Sequence, residues 1–444
     1  MSAGGLASLV SNSAIKPRID NIRGPAANKL NLEPINLEEE VFDAVTQSYI
    51  SFDVPIRNTF TDNKFVMEML VGIRKVAEDG SEQKIAPATD KVAPTNLIPI
   101  TAFKGTELTI NNRTFEGKTH NDAYKNYFKY LALPKQKFEQ ENYLLFYYPD
   151  DSDDMFLLEG ERATDAFRQR RGLMLAGDHK LIFELPFDVC SSRKMFPPNT
   201  SIRVRLFHND DGARLQTVGE VEQKYRLNIY DPVLLIDRYL LRDDLVADYQ
   251  RFIGTENCGY VMEYNELSVV GPLPVQKDSQ LFNSRIRFGK RPLCIYVFFV
   301  DADASTFPKN YLHFRHMSTL TSQASWGDQR VPDQPLKTDF DPIVTGGELN
   351  ISQAYKAFLN SLGTYNTIFD PSIFTYMHTF FTFQFAPRNY SADYRQKNLQ
   401  ELADLSVSFS FAKKIEENRH AYVIIVEQRV AYLYPNETAE IKEI

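Results

Sequence analysis

Two short stretches, far apart in the chain, carry apolar residues at positions i, i+3, i+4 and i+7. In NDAYKNYFKYL, which begins at Asn121, these are Tyr124, Tyr127, Phe128 and Leu131. In SQAYKAFLNSL, which begins at Ser352, they are Tyr355, Phe358, Leu359 and Leu362. This spacing lays one apolar stripe along a 3.6-residue period and predicts two amphipathic helices. Asn121 and Ser352 precede the stripes, where a side-chain oxygen can accept an orphan backbone N–H. Gly363 supplies a stop for the second helix and Pro134 closes the first.

Elsewhere the pattern is that of strands and turns. FVMEMLVGI, from Phe65, and LCIYVFFVDA, from Leu293, are apolar with few breaks and predict strands covered on both faces. LIFELPFDV (181–189), IRVRLF (202–207) and LSVSFSF (405–411) alternate, with Leu405, Val407, Phe409 and Phe411 on one face of the last. AYVIIVEQRVAYLY, from Ala421, is a further strand.

The landmarks recur in one order. The two apolar strands are offset by 228 (293 − 65) and the two helices by 231 (352 − 121). Aligning LIFELPFDV with LSVSFSF through Phe187 and Phe409 gives 222 (409 − 187). Near-constant offsets predict a tandem duplication, each copy a domain of antiparallel strands with one short helix. Many short strands separated by turns fit a sandwich, and a jelly roll best tolerates long loops at one end. YYPDDSDDMFLLEGERATDAFRQRRGL, which precedes LIFELPFDV, reads as such a loop because it is too charged for a core strand. The expected fold is mainly β: two tandem jelly-roll sandwiches, at 45–224 and 225–444. Residues 1–44 hold no apolar period and read as an arm outside both cores.

Length agrees, since 444 residues exceed one ordinary core and suit two domains. The net charge of −8 argues against a broad nucleic-acid-binding surface. No apolar run reaches the ~20 residues that span a membrane. The opening residues lack the apolar stretch of a secretory leader. Cys190, Cys258 and Cys294 are widely spaced, form no metal or disulfide pattern, and read as free thiols. Tyr (23) and Phe (32) are abundant, which suits strands and large buried contact surfaces.

Candidate chemistry is thin. Cys190 follows a strand, but no His can be tied to it as a base. His313 and His316 are three apart, which places them on opposite faces of a strand rather than side by side on a metal. Asp150, Asp151, Asp153 and Asp154 lack the turn Gly and later Glu of a calcium loop in register, and read as solvated. Arg168-Gln169-Arg170-Arg171 is the sharpest basic cluster, a weak nucleic-acid signal and at least as good an intersubunit salt-bridge site. The Asn-x-Ser/Thr triplets at Asn112, Asn199, Asn350, Asn389 and Asn436 carry little weight without a secretory route. The sequence nominates no catalytic, cofactor-binding or metal-binding residue.

From about residue 45 to 434 the succession of motifs resembles the double jelly-roll major capsid proteins of Polinton (Maverick) elements and adintoviruses. YISFDVPIRNTFTDNKFVMEMLVGI resembles that family's opening strand pair, and VAPTNLIPITAFKGTELTINNRTF its Pro-x-Asn segment, strand and turn. RQRRGL with LIFELPFDVCSSRKMFPPNTSIRVRLF resembles the Arg-rich loop and closing strands of the first jelly roll. YDPVLLIDRYLL is similar to the strand that opens the second. LFNSRIRFGKRPLCIYVFFVDADASTFPKNYLHFRH and DFDPIVTGGELNISQAYKAFLNSLGTYN resemble the later strand and the acidic link with the second helix. The chain departs from the pattern at Asn111-Asn112, where the family often has Asn-Gly, and at Pro308, which precedes Asn310 rather than following it.

The resemblance implies a structural protein: a homotrimeric, pseudo-hexagonal capsomer tiling an icosahedral virion shell. That shell would enclose double-stranded DNA without strong direct binding and use a minor vertex protein as partner. It implies assembly inside the host cell, no enzyme activity and no cofactor. A ligand- or glycan-binding sandwich, an enzyme on a jelly roll and a minor capsid protein stand as alternatives.

Overall fold

A computed structural model describes Lys29–Leu30 and residues 49–54, 56, 59–86, 90–117, 120–141, 145–148, 165–192, 194–218, 224–239, 247, 260–288, 291–306, 310–363, 366–386, 403–434 and 439–443. The first sandwich uses strands β1 (Tyr49–Val54), β2 (Val66–Val76), β3 (Phe103–Ile110) and β4 (Arg113–Glu116), then helices α1 (Asp122–Leu131) and α2 (Asp165–Ala176). It continues with β5 (His179–Glu184), β6 (Ile202–His208) and β7 (Lys224–Leu235). The second uses β8 (Tyr260–Val275), β9 (Leu281–Phe288), β10 (Cys294–Asp301), β11 (Thr319–Trp326) and β12 (Gln329–Lys337). Helices α3 (Ser352–Leu362) and α4 (Pro371–Tyr376) follow, then β13 (Phe381–Gln384), β14 (Ala403–Phe411) and β15 (Arg419–Leu433).

The strand orders match. One sheet of the first sandwich runs β1-β6-β3-β4, and one sheet of the second runs β9-β14-β11-β12. Facing them, β2 lies between β7 and β5, as β10 lies between β15 and β13. In the second sandwich β8 adds a further strand beside β15. All these pairings are antiparallel. Alternation explains the inward faces: Met67, Met69, Val71 and Ile73 of β2 are buried, as are Leu405, Val407, Phe409 and Phe411 of β14. At the β3–β4 hairpin, Asn111 and Asn112 both take positive φ (47° and 60°), the pair of left-handed residues a tight hairpin turn needs. Asn reaches that region more readily than most side chains, so the missing Asn-Gly is met by Asn-Asn.

Three expectations need correction. First, LIFELPFDV does not correspond to LSVSFSF. By sheet order β5 matches β13, and IRVRLF (β6) matches LSVSFSF (β14). The offsets are 228 for β2 to β10 (294 − 66), dip to 216 for β3 to β11 (319 − 103), return to 230 for the helices (352 − 122) and then fall to 202 for β5 to β13 (381 − 179). They stay near that value at 201 for β6 to β14 (403 − 202) and 195 for β7 to β15 (419 − 224). The first half therefore carries 28 more residues (230 − 202) between its helix and the following strand. Second, that stretch is not all loop, because α2 occupies Asp165–Ala176 and buries Ala166, Phe167, Arg170 and Met174. Third, the segment expected to open the second domain pairs with β2 in the first, from Lys224↔Val76 to Leu235↔Val66. Most of the expected arm lies outside the described residues, but Lys29–Leu30 pairs with Arg238–Tyr239.

Helix α1 joins the two sandwiches. Tyr124 stacks on Tyr311 of the second sandwich (4.6 Å between ring centroids, 18° between planes) and meets Phe298 edge-on at 5.4 Å. Phe128 packs on Tyr296 (4.5 Å) and Phe380 (5.0 Å). Lys194 Nζ donates to Val261 O (2.8 Å) and Asn121 Nδ2 to Gly271 O (3.1 Å). Each buried aromatic of this size contributes roughly 1.5–3 kcal/mol by area alone, so the junction is a core rather than a hinge.

Candidate assembly surface and buried junction

Beneath α1 lies a charged cluster that the sequence reading did not find. Lys125 Nζ lies 3.1 Å from Glu116 Oε2, 3.6 Å from Asp122 Oδ1 and 3.8 Å from Asp188 Oδ2. Lys129 pairs with the other oxygen of Asp188. Glu116, at the end of β4, also accepts the backbone N–H groups of Asp188 and Val189. Asp122 accepts Thr106 N–H (2.8 Å), and Asp188 accepts Leu267 N–H of β8 at 2.9 Å, so the cluster reaches both sandwiches.

Three carboxylates face two ammonium groups. Burial first, and the neighbouring Asp188 carboxylate second, push Glu116 up to about 7. A proton on Glu116 leaves two negative charges against two positive ones, which suits a dry site. Burial alone would lower Lys125, but Asp122, Glu116 and Asp188 outweigh it and hold the ammonium well above its ordinary value. The signal was present as Asp122, Lys125 and Lys129 at helical spacing. It was unreadable without knowing that Glu116 and Asp188 come from other elements.

The sequence candidates fall in separate places. Cys190 lies in the 3-10 turn Asp188–Ser192, and burial pushes its thiol well up, away from the nucleophilic thiolate. His313 Nε2 faces Tyr376 O at 3.3 Å, while His316 stacks on Phe340 and its Nδ1 accepts Ser318 N–H. Burial lowers both imidazoles, His316 to about 4. Among the described residues, no group of three His, Cys, Asp or Glu side chains could hold a metal ion. No described helix is long and apolar enough to cross a membrane. Asp150, Asp151, Asp153 and Asp154 lie outside the described residues.

The basic cluster is used inside the chain. Arg170 is fully buried and donates to Pro94 O (2.9 Å), Asn96 Oδ1 (2.8 Å), Tyr148 O (3.3 Å) and Gln216 Oε1 (2.7 Å). Arg171 Nε donates to Asp90 O (2.9 Å) and Arg168 pairs with Asp165 one turn back. An intersubunit salt bridge through Arg170 is therefore ruled out by its own burial.

What remains accessible is surface. Among the described residues, six of the nine exposed large hydrophobic side chains lie in two regions. Ile182 (41 % exposed) and Leu235 (38 %) lie on the outer face of the β7-β2-β5 sheet. Ile343 (95 %), Val344 (48 %), Leu349 (53 %) and Tyr376 (46 %) lie on and around α3 and α4.

This architecture has known counterparts. The chain is similar to a chain in the cryo-electron-microscopy structure of the Sputnik virophage, with a TM-score of 0.60 over 89% of this chain and 85% of that one, at 10% sequence identity. The fold is a double jelly roll. Weaker likenesses extend to the mavirus major capsid protein (TM-score 0.48, 11% identity, 89% of this chain and 86% of that one) and the Faustovirus major capsid protein (0.49, 8%, 86% and 87%). No protein-family profile matches the chain. No curated protein matches it.

Proposed function

We propose that this chain is the major capsid protein of a double-stranded DNA virus or virus-like mobile element, of the Polinton (Maverick) and adintovirus kind. Three copies would form a pseudo-hexagonal capsomer, and capsomers an icosahedral shell. The observation that supports it most is the repeated strand order of two sandwiches fused through a buried helix, in a double jelly-roll chain similar over most of its length to one from the Sputnik virophage particle. Two sandwiches per chain give six per trimer, an outline suited to hexagonal packing. We place the domain boundary between Tyr239 and Tyr260 rather than at 224, because β7 completes the first sandwich. The packaged DNA would be enclosed rather than gripped, since the net charge is −8. A minor vertex protein would close the shell.

The test is the mass of the purified protein at low micromolar concentration and raised salt, followed by electron microscopy under assembly conditions. Three chains per particle and closed shells are expected. A persistent monomer that never forms particles would overturn the proposal and favour a binding module.

A further inference from the structure

Strand β10 is covered on both faces and its counterpart β2 is not. The outer face of β10 carries Tyr296 and Phe298, buried under Phe128 and Tyr124 of α1. With the offset of 228, their counterparts on β2 are Glu68 and Leu70, both only half-buried. Beside Glu68 lie Ile182 and Val233 in register, and beside Val66 lies Leu235. The apolar run of β2 predicts a strand covered on both faces, yet among the described residues its outer face is only half-buried and its neighbours Ile182 and Leu235 are exposed. The face is not edged with a row of like charges either; Glu68 pairs with Lys180 across it.

The second sandwich has the reverse asymmetry. The first sandwich's helix region is buried against its neighbour in the chain. The matching region of the second, from Ile343 to Tyr376, ends in the exposed apolar residues Ile343, Val344, Leu349 and Tyr376. The apolar stripe of α3 is already spent on its own sandwich, with Phe358 on Phe380 and Phe374. The exposed residues are therefore additional to that packing.

We infer that the surface around α3 and α4 of one chain docks on the outer face of the β7-β2-β5 sheet of a second copy, repeating between chains the relation that α1 makes within one. This assignment rests on the capsomer reading and names the surfaces that join its subunits. The contact is head-to-tail: each chain carries one open face and one open helical surface, and neither is self-complementary. Such a contact ends either in a ring or in an open filament. On the sheet the apolar residues Val66, Ile182, Val233 and Leu235 lie beside the Glu68–Lys180 and Glu184–Lys64 pairs, and the Arg74–Asp178 and Arg226–Glu82 pairs lie further along the same strands, so apolar contact and paired charges share the surface.

Ile182→Asp and Ile343→Asp test it separately. Both side chains are exposed, so each variant should fold, which circular dichroism and thermal melting would verify. Each variant alone should fall from three chains to one in mass measurements, while Tyr49→Asp, on an exposed site outside both surfaces, stays trimeric. In a background with Cys190, Cys258 and Cys294 replaced by serine, mixing the single-thiol variants I182C and I343C with a short bis-maleimide should give cross-linked dimers, absent from either variant alone and from the thiol-free background. If the wild type is trimeric while both aspartate variants remain so and the mixture gives no cross-link, the surfaces are wrong and the capsomer reading stands. If the wild type is itself monomeric and forms no particles, both fall.

Discussion

Tyr127 of the first sandwich and His378 of the second share a hydrogen bond, with Oη and Nε2 3.1 Å apart and both side chains buried. They stand 251 positions apart in the chain. Burial pushes His378 down to about 3, so the imidazole stays neutral through the physiological range. Tyr127→Phe removes only the hydroxyl and should cost about 0.5–1.5 kcal/mol. Tyr124→Ala empties a ring from the same junction and should cost about 3–5 kcal/mol. Denaturant unfolding would check both. Equal effects would show that the junction is not the packed core described above.

Glu116 gives a pH dependence with a definite sign. Its folded value, about 7, lies above the ordinary 4.5 of the free carboxyl. The folded chain therefore holds the proton more tightly than the unfolded one, and the contribution is fully present below 4.5. It is lost as pH rises through about 7. Glu116→Gln removes that loss. The stability of the variant relative to wild type should rise between pH 4.5 and 8, on the order of a few kcal/mol. Melts at several pH values would show it. A constant difference across that range would contradict the protonation state assigned to the cluster.

Arg170 has no substitute in its site. Arg170→Ala removes the donor that Pro94 O, Tyr148 O and Gln216 Oε1 take from it, while Asn96 Oδ1 keeps the N–H of Tyr148. Several buried acceptors stranded together should cost about 3–5 kcal/mol. Lysine should recover part of it, because a single ammonium cannot reproduce the planar fork. Raised salt should change neither result, since screening acts on exposed charges.

Gly212 marks a second point where the halves meet. A Cβ there would come within 1.7 Å of the carbonyl oxygen of Ser305 in the second sandwich. Gly212→Ala should therefore force a backbone shift costing about 1–3 kcal/mol. Amide exchange should rise around Ser305 while protection in the centres of β2 and β10 is retained. An alanine variant as stable as wild type would show that the two loops separate freely.

The fold was legible where local pattern and sheet geometry coincide. The helix pair and the long apolar strands kept their offsets because both lie before the 28-residue difference between the halves. The third landmark failed because an alternating strand looks alike wherever it sits, and LIFELPFDV and IRVRLF carry the same period. Only pairing distinguishes them. Glu116 and Asp188 were invisible for a related reason: a lone acid at a strand end looks solvated until its partners are known. Arg170 was misread as surface because charge composition does not report which of several arginines turns inward.

The burial of α1 against the other sandwich makes the two halves mutually dependent. The helix of the first sandwich is part of the second one's interior, while α3 packs on its own sandwich. Cutting the gene between the halves would expose Tyr124, Tyr127 and Phe128 on one fragment and Tyr296, Phe298 and Tyr311 on the other. Neither fragment inherits a finished surface. The pair, not the sandwich, is the smallest unit whose apolar surfaces at this junction are closed.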